Sequence, residues 1–130
     1  MEIRAPGPAE LPAARALLEA CGWAHRLGTP AEFEALLAAS QRVLVAVAPD
    51  GQLIGFARAL TDGLSNGYLS MVAVAPAWRR RGVGRALVSA ITAGPASVTW
   101  VLRAGREGAA EFFASLGFTA SEAAMERRRA

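Results

Sequence analysis

The stretch YLSMVAVAPAWRRRGVGRAL, residues 68–87, sets the architecture of the chain. Its first seven residues, Tyr68 to Val74, read as a strand that Pro76 stops. From Gly82 to Ala93, the residues Val83, Ala86, Leu87, Ala90 and Ile91 recur at helical spacing and predict an amphipathic helix. The head of such a helix leaves N–H groups without intrahelical partners, and its dipole favours an anion there. Gly82 and Gly84 allow backbone to approach a ligand with no Cβ in the way. The pair is not a dinucleotide fingerprint, which needs three glycines after the first strand of a βαβ unit. It also lacks the Gly-Lys-Ser/Thr of a P-loop. Arg79-Arg80-Arg81 therefore has three readings: a solvated charge cluster, a nucleic-acid patch, or the complement of a phosphate held by the loop.

The segments on either side fix the surroundings of this unit. Upstream, Glu2-Ile3-Arg4 opens a strand before the breakers Pro6-Gly7-Pro8, and Glu10 to Ala20 reads as a helix closing at Gly22. TPAEFEALLAAS, residues 29–40, carries a complete start signal: Thr29 as N-cap, Pro30 in the first helical position and Glu32 closing a capping box. VLVAVA (43–48) and LIGFARAL (53–60) flank the turn Pro49-Asp50-Gly51 and predict a hairpin. Downstream, Ser97 to Leu102 is a strand, Glu107 to Leu116 a helix stopped by Gly117, and Phe118 onward a final strand. The order β-α-α-β-β-β-α-β-α-β predicts a single α/β (α+β) layered domain spanning residues 1–130.

Composition narrows the function. No apolar run approaches the ~20 residues of a membrane span. No basic start followed by an apolar stretch opens the chain, so a soluble cytoplasmic protein is expected. The lone Cys21 has no disulfide or metal-ligand partner at a familiar spacing. All 14 basic residues are arginine, which removes lysine Schiff-base chemistry. With a net charge of only +3, and no second basic cluster except Arg127-Arg128-Arg129, nucleic-acid binding is the weaker alternative.

Arg79-x-x-Gly82-x-Gly84 after VAVAP resembles the acyl-CoA signature of the GNAT family, the Gcn5-related N-acetyltransferases. EFFASLGF, residues 111–118, is similar to that family's F-Y-x-x-x-G-F segment, and the element order agrees over essentially the whole chain. The resemblance implies a central mixed, mostly antiparallel sheet flanked by about four helices, with strands that splay at an acyl-CoA site. Val72, Ala73 and Val74 would then pair with the pantetheine arm. The loop from Arg80 to Arg85 would wrap the pyrophosphate, using the N–H groups of Arg81, Gly82, Val83 and Gly84. Arg79 or Arg80 would add a side-chain contact. Acetyl-CoA would be the cofactor, a small-molecule amine or a protein N-terminus or lysine the acceptor, and Val72 or an adjacent N–H the donor to the developing oxyanion. Direct attack in a ternary complex follows from the same resemblance. A homodimer, built on an apolar edge of the last strand, is a further expectation.

The sequence departs from the family pattern at the general acid. The second aromatic of the F-Y pair is Phe113, which has no proton to give, and the asparagine common seven residues earlier is replaced by Arg106. Some relatives carry a glutamate where this chain has Tyr68, and residues 68–74 contain no acid. Tyr68 is thus a candidate acid or substrate contact, and equally a half-buried strand aromatic. A non-catalytic acyl-CoA sensor is the alternative that these departures raise. For the acceptor, His25 is a candidate base beside Trp23, or else an ordinary surface histidine. Asp62 and Glu34 are candidates to bind the amine, though turn and surface roles explain them as well. Arg58 interrupts the apolar strand FARAL and, if it faces a pocket, favours an acceptor with a carboxylate.

Overall fold

A computed structural model of the chain describes residues 1–130. Strand β1 (Glu2–Arg4) leads through a short 3-10 turn into helix α1 (Leu11–Ala20), and a second 3-10 turn leads to α2 (Pro30–Ala38). Strands β2 (Arg42–Val47), β3 (Leu53–Thr61) and β4 (Asn66–Val74) follow, then α3 (Val83–Ile91), β5 (Thr99–Leu102) and α4 (Ala109–Ala114). The sheet order is β1-β2-β3-β4-β5, with antiparallel pairs throughout except the parallel β4/β5 edge. That is the mixed, mostly antiparallel sheet and the helix count that the sequence predicts. Residues from Phe118 onward form no strand, a correction to the expected tenth element. The apolar demand of Phe118 is met elsewhere: its ring stands edge-on to Phe113 at 5.7 Å and its N–H bonds the Phe113 carbonyl at 3.1 Å. The strand edge on which a dimer was expected therefore does not exist.

Local chemistry explains the element ends. Thr29 Oγ1 accepts from the Glu32 N–H at 3.2 Å while Glu32 accepts from the Thr29 N–H at 2.9 Å, so α2 begins where its capping box dictates. Helix α3 cannot start before Val83, because Gly82 lies in the left-handed region at φ 86°. Asn66 and Gly67 join β4 despite poor strand propensity. A Cβ on Gly67 would fall 2.4 Å from the Trp100 ring, so the packing of β5 selects a glycine there.

The two faces of the sheet are covered by different helices. Phe56 packs against Phe33 of α2 at 6.4 Å between ring centroids. The next residue back, Gly55, faces the other way: a Cβ there would meet Leu87 and Val83 of α3. By alternation Arg58 and Leu60 share the α1–α2 face with Phe56. Their partners across the ladder, Ser70 and Tyr68, share it too. No fully buried residue is polar or charged, so apolar packing between these layers holds the fold.

Candidate active site

Strands β4 and β5 pair only from Asn66–Leu69 against Thr99–Leu102. Beyond Leu69, β4 continues to Val74 while the chain after β5 turns away toward α4, so the strands splay. The opening coincides with a bulge. Phe56 pairs with Ala73 and Arg58 with Ser70, leaving Met71 and Val72 opposite the single residue Ala57. Met71, though buried, takes φ 55° to make this turn in the strand, a conformation costing on the order of 1–3 kcal/mol for a non-glycine residue. The apolar packing around it holds it there.

Immediately past Val74 the loop completes the site. Arg80 is the only other non-glycine residue with positive φ, at 64°, and Gly82 follows two residues later at 86°. None of the N–H groups from Arg80 to Arg85 makes a well-formed hydrogen bond to the protein. The first N–H to find an acceptor is that of Ala86, bonded to the Gly82 carbonyl at 3.0 Å. A row of donors on a left-handed/right-handed backbone, at the head of a helix, is an anion cradle.

The three consecutive arginines point in three directions. Arg79 turns back, its Nε bonding the Val74 carbonyl at 3.1 Å. Arg81 lies over the Trp78 ring at 5.1 Å. Arg80 lines the cleft. The run itself forms no continuous basic stripe, and the tail arginine Arg128 is paired with Glu126 at 2.9 Å.

The splayed strands and the cradle open onto one cleft of about 1240 Å³. It is lined by Tyr68, Val72, Ala73, Val74, Arg79, Arg80, Gly82, Gly84 and Arg85, and on the acceptor side by His25 and Arg58. Arg81 and Val83 do not line it; the Val83 side chain is buried under the sheet. Asp62 lies away from it. Its Oδ1 accepts from the N–H groups of Leu64, Ser65 and Asn66, and these bonds hold its carboxyl below the usual range. It is a turn-former. Phe113 lines the cleft but stands edge-on to Phe112 at 5.0 Å, an apolar wall with no hydroxyl.

Several contributors were not visible as site residues in the sequence. Arg106 donates to the carbonyls of Cys21 at 2.7 Å and Gly22 at 2.9 Å, and stacks on Trp23 at 3.8 Å. It thereby ties the loop before α4 to the end of α1 across the cleft. Ser70 lines the cleft between Tyr68 and the bulge. Ser40, just past α2, accepts from Arg58 Nε at 2.7 Å and itself donates to the Leu36 carbonyl at 2.8 Å. The Arg58 and Arg106 contacts span 18 to 85 residues of chain, and no local pattern announces them.

The comparisons with known proteins agree with this geometry. The family model described as "Acetyltransferase (GNAT) domain" matches residues 39–120, which hold the cradle, both splayed strands and α4. No curated protein sequence matches the chain. Among solved structures, a Staphylococcus aureus protein described as a probable acetyltransferase superposes with TM-score 0.77 at 19% identity, covering 98% of each chain. A GNAT-family protein from Xanthomonas campestris does so with TM-score 0.75 at 25% identity, over 99% of this chain and 94% of its own. AAC(6')-Iy, solved with the bisubstrate analogue CoA-S-monomethyl-acetylneamine, superposes with TM-score 0.72 at 20% identity, over 99% and 97%. The overall fold is thus shared with these structures, and the chain belongs to the GNAT acetyltransferase family.

Proposed function

We propose that this chain is an acetyl-CoA-dependent N-acetyltransferase that moves an acetyl group to a primary amine by direct attack in a ternary complex. The observation that carries the proposal is the row of N–H groups from Arg80 to Arg85, unclaimed by the protein and placed where β4 leaves β5. A pyrophosphate fits that row: the donors are backbone, the loop has no Cβ at Gly82, and Arg80 and Arg85 bring charge to it. A family neighbour solved with a CoA bisubstrate analogue supports the same cofactor.

When bound, acetyl-CoA supplies an activated acyl group on a good leaving thiolate. The protein supplies position and electrostatics. Arg79 fixes the end of β4 by holding the Val74 carbonyl, leaving the Ser70–Ala73 edge free for a ligand strand. The bulge at Met71–Val72 interrupts the ladder beside the cleft, and a backbone N–H freed there would be a fixed dipole for charge that develops on the acyl oxygen. Tyr68 lines the same cleft two residues before Ser70; as the chain's one tyrosine, it is the phenol available for the role that Phe113 has lost. Proximity of this kind accounts for much of a rate enhancement without any acid, and a positioned acid adds about 100- to 10,000-fold.

Thiol release across a panel of primary amines tests the proposal. Turnover with at least one amine is expected, and Tyr68→Phe should lower kcat by about 100-fold with KM little changed. Unchanged turnover in Tyr68→Phe removes the tyrosine from the mechanism. CoA binding with no turnover for any amine favours the sensor reading, to which Phe113 points.

A further inference from the structure

The cleft has a marked charge bias. Eight arginines and His25 line the cleft against one acid, Glu107. Arg79, Arg80 and Arg85 stand at the cradle, Arg106 is committed to the carbonyls of Cys21 and Gly22, and Arg103 is paired with Glu126 at 3.1 Å. Arg58 is different. It rises from the middle of β3, on the α1–α2 face, directly across the ladder from Ser70 and one residue from the bulge. It has no carboxylate partner, although desolvation by the surrounding sheet and helices already lowers its pKa.

Its orientation is built. Ser40 takes Nε, and Ser40 is in turn fixed by the Leu36 carbonyl at the end of α2. The two Nη groups make no hydrogen bond to the protein, and the side chain lines the cleft. A half-buried guanidinium with its Nε anchored and its fork free is complementary to a carboxylate, which it can bind through two parallel bonds. Arg58 lies across the ladder from Ser70, the residue just before the bulge, so a carboxylate on it sits close to the opened strand edge.

Resting on the acetyl-transfer reading above, we propose that the acceptor is a small carboxylate-bearing amine, an amino acid or close analogue, whose carboxylate seats on Arg58. A polycationic amine meets no anion in the cleft lining except Glu107, and its charge is repelled by Arg58. Transfer then forms the amide N–C bond as the thioester C–S bond breaks; the proton lost from the amine leaves with water or the thiolate.

The test compares kcat/KM for the common α-amino acids, their α-amides and spermidine, at fixed acetyl-CoA, in wild type, Arg58→Gln and Arg58→Lys. Wild type should prefer at least one amino acid over its amide by roughly 30-fold or more, the loss that follows when one partner of a desolvated charge pair is removed. Arg58→Gln should collapse that ratio toward one, and Arg58→Lys should recover part of it. Retained CoA binding by each variant establishes that it is folded. Turnover of spermidine or of amides ahead of every amino acid overturns the proposal while leaving acetyl transfer standing. So does a ratio that Arg58→Gln leaves intact. Should no amine turn over, calorimetry of the same amino acids against the CoA-loaded protein decides. Saturable binding that Arg58→Gln abolishes upholds the carboxylate site, and absence of binding overturns it together with the transfer reading.

Discussion

A Cβ built on Gly82 meets nothing within 4 Å, whereas one on Gly84 sits 2.9 Å from Cζ of Phe112. The two glycines of Arg-x-x-Gly-x-Gly are therefore required for different reasons. Gly82 is needed for its left-handed φ, with the space beside it left open to a ligand. Gly84 is needed because α3 and α4 approach each other through it. Gly82→Ala should destabilise the fold by only about 1–2 kcal/mol, the left-handed penalty, yet weaken CoA binding sharply because the cradle must relax. Gly84→Ala should cost about 1–3 kcal/mol through overpacking, and Phe112→Leu in the same chain should restore part of it. Urea denaturation beside CoA calorimetry checks both; equal effects of the two substitutions on both readouts would refute the division.

At the scale of elements, the features legible in the sequence are the local ones. Thr29-Pro30-Glu32 starts α2, Gly82 and the apolar stripe behind it place α3, and Pro49-Asp50-Gly51 turns the hairpin. Each is a case where neighbouring residues carry their own reason. The misreadings are contacts over distance or competition among neighbours. Phe118 reads as the start of a strand by its aromatic character, but α4 absorbs it. Asp62 reads as either an amine ligand or a turn-former by its position before β4, and the nearest amides claim its carboxylate. Arg106 stands out in the sequence only as a lost asparagine, when it is the link between α1 and the loop before α4. Removing that link in Arg106→Ala should speed amide exchange in residues 21–26 and 103–108 together, and raise the acceptor KM. The exposure of these contacts limits the loss of stability to about 1 kcal/mol. Faster exchange in only one of the two segments would show that the clamp does not couple them.

For the molecule as a whole, the sheet divides the work between its two faces. The α3–α4 face holds the cradle, where Gly84, Val74 and Phe112 converge. The α1–α2 face holds Arg58, Ser70 and Tyr68. The bulge and splay at Met71–Val72 join the two through one cleft, and the proposed function has a cofactor from one face meet an acceptor from the other at that strand edge. No helix is long and apolar enough to cross a membrane. The run Arg79-Arg80-Arg81 contributes to this plan through its surroundings rather than its total charge: one arginine holds β4, one covers Trp78, and one faces the cleft. The proposed transfer reaction rests on the amides from Arg80 to Arg85 binding a pyrophosphate. Calorimetric titration with acetyl-CoA and, separately, with S-acetylpantetheine, which lacks the pyrophosphate, tests this most directly. Saturable one-to-one binding of acetyl-CoA, with S-acetylpantetheine weaker by roughly 30-fold or more, is the predicted result. Equal affinity for the two, or no saturable heat from acetyl-CoA, would contradict it.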